Sequence, residues 1–254
     1  MIGGLQYGPQ SALYIIEPVD RLLLTKGEDQ MATIFGADSQ HPADTRLTNG
    51  YDLYSWVMRK GGFPAFWGRS ITGGNKVTKD EVTFLWEKKC KVALYFDELT
   101  ESGVSAMDGT DDAMRAMEGA AALGVPEGKG IAIFAVIGGG WGINHNWMIS
   151  FATALRSGGF VAGFLGNTDS SKNFNFNRQC GHYVRATQEA GHFGAVFGAT
   201  EPKTGREAAL WAPYRPSDLS ADKIALWQNG SVACDGICAN TTYARDESVL
   251  SYMW

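Results

Sequence analysis

Residues 130–166 read GIAIFAVIGGGWGINHNWMISFATALRSGGFVAGFLG and contain the clearest secondary-structure pattern of the chain. This stretch begins with a continuously apolar run, GIAIFAVI (130–137), and ends with a second one, FVAGFLG (160–166). A helical segment, 144–155, lies between them. Apolar runs without alternation are typical of parallel strands whose outer face is covered by helices. The stretch therefore predicts a strand, a helix and a second parallel strand.

The same pattern recurs along the chain. The six further apolar runs are TIFGAD (33–38), PAFWGR (64–69), KVALYFD (91–97), FGAVFGA (193–199), AALWA (208–212) and KIALWQ (223–228). Eight strands alternating with helices fit a closed (β/α)₈ barrel or an open doubly wound sheet. No G-x-G-x-x-G motif follows the first run, and Gly138-Gly139-Gly140 lacks a phosphate-binding helix start. The count of eight favours a closed barrel of parallel strands.

Helices are predicted between these runs at residues 51–60, 78–89, 110–123, 144–155 and 178–190. The second of them begins with Thr78-Lys79-Asp80-Glu81, a capping box in which the Thr hydroxyl and the Glu carboxylate each accept a backbone N–H. Residues 1–30 precede the repeating pattern and are predicted to form a strand-rich extension. This extension is either an arm or a plug for the bottom of a barrel that spans residues 31–254.

Composition excludes several classes of function. The net charge of −5 gives no bulk attraction to nucleic acid or to an anionic membrane. No run of 18 apolar residues and no signal peptide is visible. The cysteines and histidines lack metal-ligand spacing, so neither a metal nor another cofactor is predicted. Cys234 and Cys238 are close enough in sequence for a local disulfide.

Several segments resemble the glycoside-hydrolase-like barrels of domain-of-unknown-function family 1906, which are relatives of the family 25 lysozymes. The segments are GADSQHPAD (36–44), FWGRSITGGNKVTKDEVTFL (66–85), DDAMRAMEGAAALGVPEGKGIAIFAV (111–136), LWAPY (210–214) and ALWQNG (225–230). The resemblance covers about residues 33 to 245. It implies a TIM barrel that binds, and in active members cleaves, bacterial cell-wall glycan such as peptidoglycan.

Two positions depart from the family pattern. Ser70 stands where the family usually has Tyr, and Ile137 takes the place of the acid that ends the fourth strand. The closing segment after the eighth strand also differs. The resemblance therefore supports the fold more strongly than the activity.

The carboxyl ends of the strands are expected to form the site. The candidates for glycan binding are Arg69, Trp141, Asn167, Glu201, Trp211, Trp227 and Gln228. The catalytic candidates are Asp38 with Asp97 or Glu98, because glycosidic cleavage generally uses one protonated and one ionised carboxyl group. Adjacent residues of a strand point to opposite sides, so only one of Asp97 and Glu98 is expected to face the mouth. The structural alternatives are that Asp38 pairs with Arg69 and that Asp97 caps a loop.

Two functions stay open. The first is a lysozyme-like cell-wall glycosidase. The second is a catalytically inactive barrel that serves as a glycan-binding or structural virion protein, and Ile137 favours it slightly. A cell-surface fold without a signal peptide suggests a bacteriophage tail or lysis component, with residues 1–30 contacting other tail proteins. The expected location is extracellular or virion-associated, with the cytoplasm as the alternative.

Overall fold

The computed structural model describes residues 33–169, 171, 175–189, 194–204, 211–216, 218–234 and 236–254. These residues contain a closed eight-stranded barrel. The strands are β1 (Ile34–Asp38), β2 (Phe66–Ser70), β3 (Lys91–Phe96), β4 (Ala132–Val136), β5 (Val161–Gly166), β6 (Ala195–Ala199), β7 (Ile224–Cys234) and β8 (Ile237–Ala244). The predicted α/β barrel is confirmed. The extension predicted for residues 1–30 lies outside the described residues.

Helices cover the barrel between most of these strands. They are α1 (Leu53–Gly61), α2 (Lys79–Glu87), α3 (Glu101–Ser105), α4 (Thr110–Leu123), α5 (His145–Ser157) and α6 (Asn175–Glu189), with 3₁₀ turns at Ala221–Lys223 and Glu247–Tyr252. The five predicted helices are confirmed to within about three residues, and the short α3 was not predicted. No helix in the described part of the chain is long and apolar enough to cross a bilayer.

The start of α2 confirms only half of the predicted capping box. The Thr78 hydroxyl accepts a hydrogen bond from the Glu81 backbone N–H at 3.2 Å. The Glu81 carboxylate does not return to Thr78. Its Oε1 atom instead accepts from the backbone N–H of Ala43 at 2.9 Å and from Arg69 Nε at 2.8 Å. The acidic residue of the motif is therefore used in a tertiary contact.

The barrel closes through a hairpin, and the prediction of eight parallel strands is wrong. Strands β1 to β7 pair in parallel, while β8 is antiparallel to both β7 and β1. The run predicted as the eighth strand is β7. The strand predicted at 208–212 is not observed at Trp211 and Ala212, and its first three residues lie outside the described ones. The overlooked signal is Asp235-Gly236, a dipeptide typical of two-residue hairpins.

Aromatic side chains fill the barrel interior, and each packs against a glycine of a neighbouring strand. Phe66, Tyr95 and Phe134 belong to an apolar cluster separate from the larger one beneath the helices. At Gly68, an added Cβ would lie 2.5 Å from Tyr95 Cζ and 2.8 Å from Asp38 Cβ. The tip of Tyr95 and the Asp38 side chain therefore meet over Gly68, which only glycine permits.

Candidate functional site

A pocket of about 260 Å³ opens at the carboxyl ends of β2 and β3. Its lining residues are Gln40, Ser70, Thr72, Gly73, Gly74, Asn75, Asp97 and Glu98. Barrels of this architecture place their active sites at this end, whereas the amino end contributes mainly to stability. A second cavity of about 390 Å³ lies at the amino end and includes Lys223, Arg245 and Tyr252. The carboxyl-end pocket is therefore the candidate site.

Asp38 lies inside the barrel mouth and is only 6% exposed. Its carboxylate accepts hydrogen bonds from Asn240 Nδ2 at 2.8 Å, from Thr242 Oγ1 at 2.5 Å, and from Gln228 Nε2 at 3.1 and 3.2 Å. Gln228 belongs to β7, and the other two donors belong to β8. Asp38 thus ties β1 to both strands of the closing hairpin. Gln228, predicted to bind glycan, is occupied in this contact.

Burial raises the pKa of the Asp38 carboxyl above its usual value, although the hydrogen bonds from Asn240, Thr242 and Gln228 lower it. Tyr95, on β3, lies close to Asp38. It was not predicted as a site residue. Its hydroxyl is buried without a hydrogen-bond partner among the described residues. Burial and the nearby Asp38 charge raise the pKa of Tyr95 well above its usual value, so the phenol keeps its proton. The overlooked signal is its position on β3, one residue before the end of a strand whose carboxyl end faces the mouth.

Arg69 is fully buried, and its guanidinium makes three hydrogen bonds among the described residues. Its Nε donates to Glu81, which is 2% exposed, and its two terminal nitrogens donate to the backbone carbonyls of Ser39 at 2.7 Å and Asn75 at 2.8 Å. The predicted alternative that Arg69 pairs with Asp38 is wrong. The guanidinium instead supports the two loops that follow β1 and β2, and it reaches the pocket only through Asn75.

Asp97 and Glu98 both line the pocket, so the expectation that only one would face the mouth is wrong. Strand β3 ends at Phe96, and the alternation of a strand no longer applies to the two acids beyond it. The Ser70 hydroxyl donates to Asp97 Oδ1 at 2.5 Å. Both acids are exposed, in contrast to Asp38. The pocket therefore combines two accessible carboxylates with hydroxyl and amide groups.

Strand β4 brings no carboxyl group to the mouth. Ile137, at the position where the resemblance leads one to expect an acid, is 4% exposed and packs in the apolar cluster beneath the helices. The residues on either side of it, Val136 and Gly138, are not ionisable. The departure seen in the sequence is therefore not compensated by its immediate neighbours.

Trp227 is buried and cannot offer a flat face to a sugar. It is 1% exposed, its Nε1 donates to the Pro202 carbonyl at 3.2 Å, and it contacts Trp211 edge-on at a centroid distance of 6.0 Å. Trp211 is partly buried against the same apolar cluster. Glu201 uses Oε2 to accept the Lys203 backbone N–H at 3.0 Å. None of these three predicted binding residues lines the carboxyl-end pocket.

Trp141 and Asn167 also lie outside the pocket lining. The Trp141 ring covers Gly138, where an added Cβ would lie 2.4 Å from the ring, and it packs against the apolar cluster. Asn167 Oδ1 accepts the Asp169 backbone N–H at 2.8 Å. Trp147, on α5, is fully buried. Of the predicted site residues, only Asp97 and Glu98 line the pocket.

Neither a metal centre nor a disulfide is found in the described part of the chain. No group of three or more His, Cys, Asp or Glu side chains is placed there to hold a metal ion. Cys234 and Cys238, which the sequence left open as a disulfide pair, lie near the hairpin turn and are not joined by an S–S bond. The chemistry that the pocket offers is hydrogen bonding and negative charge.

The fold and pocket define a class: a closed α/β barrel with a polar site at the carboxyl ends of its strands. The chain is similar to an uncharacterized protein from B. stearothermophilus, with 22% identity and a TM-score of 0.72 over 87% of this chain and 100% of that one. It is also similar to Rv2525c, a Tat-secreted protein of Mycobacterium tuberculosis, solved in complex with L-tartrate. That likeness has 14% identity and a TM-score of 0.54 over 86% and 97% of the two chains.

A glycosyl hydrolase 25 of Streptococcus pneumoniae superposes with a TM-score of 0.48 at 12% identity, over 89% of this chain and 93% of that one. At this TM-score, the likeness does not establish a shared fold or function. The similarities to the other two proteins establish the fold alone. No protein-family model and no curated protein sequence matches the chain. Membership of domain family 1906 therefore stays a prediction.

Proposed function

We propose that this barrel binds glycan in the carboxyl-end pocket and does not hydrolyse it. The observation that carries the proposal is that Asp38 differs from Asp97 and Glu98 in burial and in hydrogen bonding. Asp97 and Glu98 line an open polar pocket, while Asp38 is held by three side chains inside the barrel. Carboxylates and amides accept and donate hydrogen bonds as sugar hydroxyls require.

The absence of hydrolysis follows from the state of Asp38. A glycosidase needs one carboxyl group free to protonate the leaving oxygen and a second to act as base or nucleophile. Both oxygens of Asp38 already accept hydrogen bonds from Gln228, Asn240 and Thr242, and attack or proton transfer would break these bonds. Strand β4 supplies no replacement acid. The alternative is a glycosidase that uses Asp97 and Glu98. The observation in its support is that both acids line the same pocket.

The resemblance stated above extends this proposal to bacterial cell-wall glycan and to a bacteriophage tail or lysis component. In that setting, residues 1–30 would contact other tail proteins and the barrel would act outside the bacterial cytoplasm. Glycan binding does not depend on this setting and is tested separately.

Sedimentation with purified bacterial cell walls tests the proposal. We expect the wild-type protein to pellet with the walls without releasing reducing ends. The double variant Asp97→Asn/Glu98→Gln is expected to stay in the supernatant, because both carboxylates of the pocket are lost. Glu87→Gln/Glu127→Gln is the matched control, since it removes the same charge from two exposed acids that lie outside the pocket lining.

Three results would contradict the proposal. If the wild-type protein does not pellet, or if both double variants pellet equally, the pocket does not bind wall glycan. If the wild-type protein releases reducing ends and Asp97→Asn does not, the glycosidase alternative is correct.

A further inference from the structure

A basic surface lies at the amino end of the barrel, opposite the end that carries the pocket. It is formed where α1 and α2 end and where β2 and β3 begin. Segments 59–65 and 84–92 contain five cations and one acid, Glu87, although the whole chain has a net charge of −5. We call this surface the basic face, and its five exposed cations are Arg59, Lys60, Lys88, Lys89 and Lys91.

Backbone contacts at the start of β3 join the two segments into one surface. The Lys91 N–H donates to the Ala65 carbonyl at 3.0 Å on one side of the strand. On the other side, Val92 exchanges two backbone hydrogen bonds with Trp254, at 2.7 and 3.0 Å. Because adjacent strands lie about 4.8 Å apart, Ala65 and Trp254 are about 10 Å from each other across β3.

Two large apolar side chains are exposed on the basic face. Phe63 follows Gly61-Gly62 in the loop between α1 and β2 and is 78% exposed. Trp86, near the end of α2, is 47% exposed and contacts Trp254 edge-on at a centroid distance of 4.8 Å. Covering aromatic side chains of this size removes apolar area from water, which is favourable. The basic face therefore offers apolar contact as well as positive charge.

The contacts that orient these cations are to uncharged groups. Among the described residues, none of the five takes part in a salt bridge. The Lys60 ammonium lies over the Trp56 ring, 4.7 Å from its centroid, and Lys91 Nζ donates to the Met253 carbonyl at 3.2 Å. Neither contact neutralises the charge of the lysine. The basic face therefore attracts anions, even though the protein as a whole is acidic.

We propose that the basic face docks on the surface of a bilayer that contains anionic phospholipid. Phe63 and Trp86 enter the interfacial layer, where aromatic side chains are enriched, and the five cations lie at the headgroup phosphates. The pocket then faces away from the bilayer, because it lies at the opposite end of the barrel. This inference is independent of the proposed glycan binding.

The aromatic rings of the basic face favour a bilayer over a single-stranded nucleic acid. Bases bind to protein surfaces by stacking on open ring faces. The Lys60 ammonium occupies one face of Trp56, and the Lys88 ammonium lies over Phe84, 4.4 Å from its centroid. Docking on a bilayer needs no such platform, because it requires only apolar side chains beside cations.

Sedimentation with lipid vesicles tests the inference on the full chain. The vesicles contain either phosphatidylcholine alone or equal amounts of phosphatidylcholine and phosphatidylglycerol. We expect the wild-type protein to pellet with the mixed vesicles only, and added salt should weaken this binding. Lys60→Gln/Lys89→Gln is expected to weaken it about thirtyfold, because each cation close to an anionic bilayer contributes about 1 kcal/mol. Phe63→Ser is expected to weaken it by about tenfold through lost apolar burial.

Lys76→Gln/Lys79→Gln is the matched control. It removes the same charge from two exposed lysines that lie at the start of α2, away from the basic face. This variant is expected to bind the mixed vesicles as the wild-type protein does. Thermal melting of each variant shows that it is folded.

Three outcomes would overturn the inference. If the wild-type protein stays in the supernatant with the mixed vesicles, or if both double variants lose binding equally, the basic face is not a docking surface for anionic lipid. If Phe63→Ser binds as tightly as the wild type, the surface recognises charge alone. Competition by a single-stranded oligonucleotide would then identify a soluble polyanion as the partner. None of these results bears on sedimentation with purified cell walls, which tests the pocket at the opposite end.

Discussion

Replacing Asp38 with alanine is expected to lower the free energy of unfolding by about 3–5 kcal/mol. The substitution leaves three donors without their shared acceptor: the buried Gln228 and Thr242 and the half-buried Asn240. It also removes the side chain that connects β1 to both strands of the closing hairpin. Urea unfolding measures the effect, and the midpoint should shift with little change in slope.

Asp97→Ala is the matched control for this prediction. It removes the same group from the same end of the barrel, but Asp97 is exposed, so the expected loss is under about 1 kcal/mol. If both substitutions lower the free energy of unfolding equally, burial of Asp38 does not explain its contribution to stability. If the Asp38→Ala protein is as stable as the wild type but fails to bind walls, Asp38 takes part in glycan binding directly.

Replacing Arg69 with methionine is expected to cost a similar amount, about 3–5 kcal/mol, because it leaves Glu81 as a buried carboxylate without its cation. The pair is 0% and 2% exposed in its side chains and joined at 2.8 Å. Arg69 also donates to the carbonyls of Ser39 and Asn75, so the loop beside the pocket loses its support. Weaker wall binding should therefore accompany the loss of stability.

The double variant Arg69→Met/Glu81→Leu distinguishes charge burial from lost packing. Removing both charges together is expected to recover a large part of the stability, since no uncompensated carboxylate remains. If the double variant is as unstable as the sum of the two single ones, the interaction between the charges contributes little. The backbone contacts of Arg69 would then explain its effect.

The barrel was predictable because its strands carry a strong local pattern. Runs such as KVALYFD (91–97) and GIAIFAVI (130–137) are apolar throughout, and the helices between them show clear start or stop signals. The closing strand β8 (Ile237–Ala244) is different: its inward residues Asn240 and Thr242 are polar, so no apolar run marks it. Its hydrogen bonds to Asp38 join residues about 200 positions apart in sequence.

The site was only partly predictable for the same reason. Asp97 and Glu98 follow an obvious strand, and position alone brings them to the mouth. Trp227 also lies near the carboxyl end of a predicted strand. The side chain of Gln228 points into the barrel, so alternation along β7 directs Trp227 outward, where it is buried under the helices. The roles of Arg69 and Asp38 depend on partners from other elements, which spacing along the chain does not reveal.

An NMR titration with soluble cell-wall fragments tests whether glycan binds at the carboxyl-end pocket. We predict that the amide signals of Gly73, Gly74 and Glu98 shift as fragments are added, while those of Lys223 and Arg245 beside the amino-end cavity stay in place. Shifts confined to the amino-end cavity, or no shifts at saturating fragment, would contradict the account.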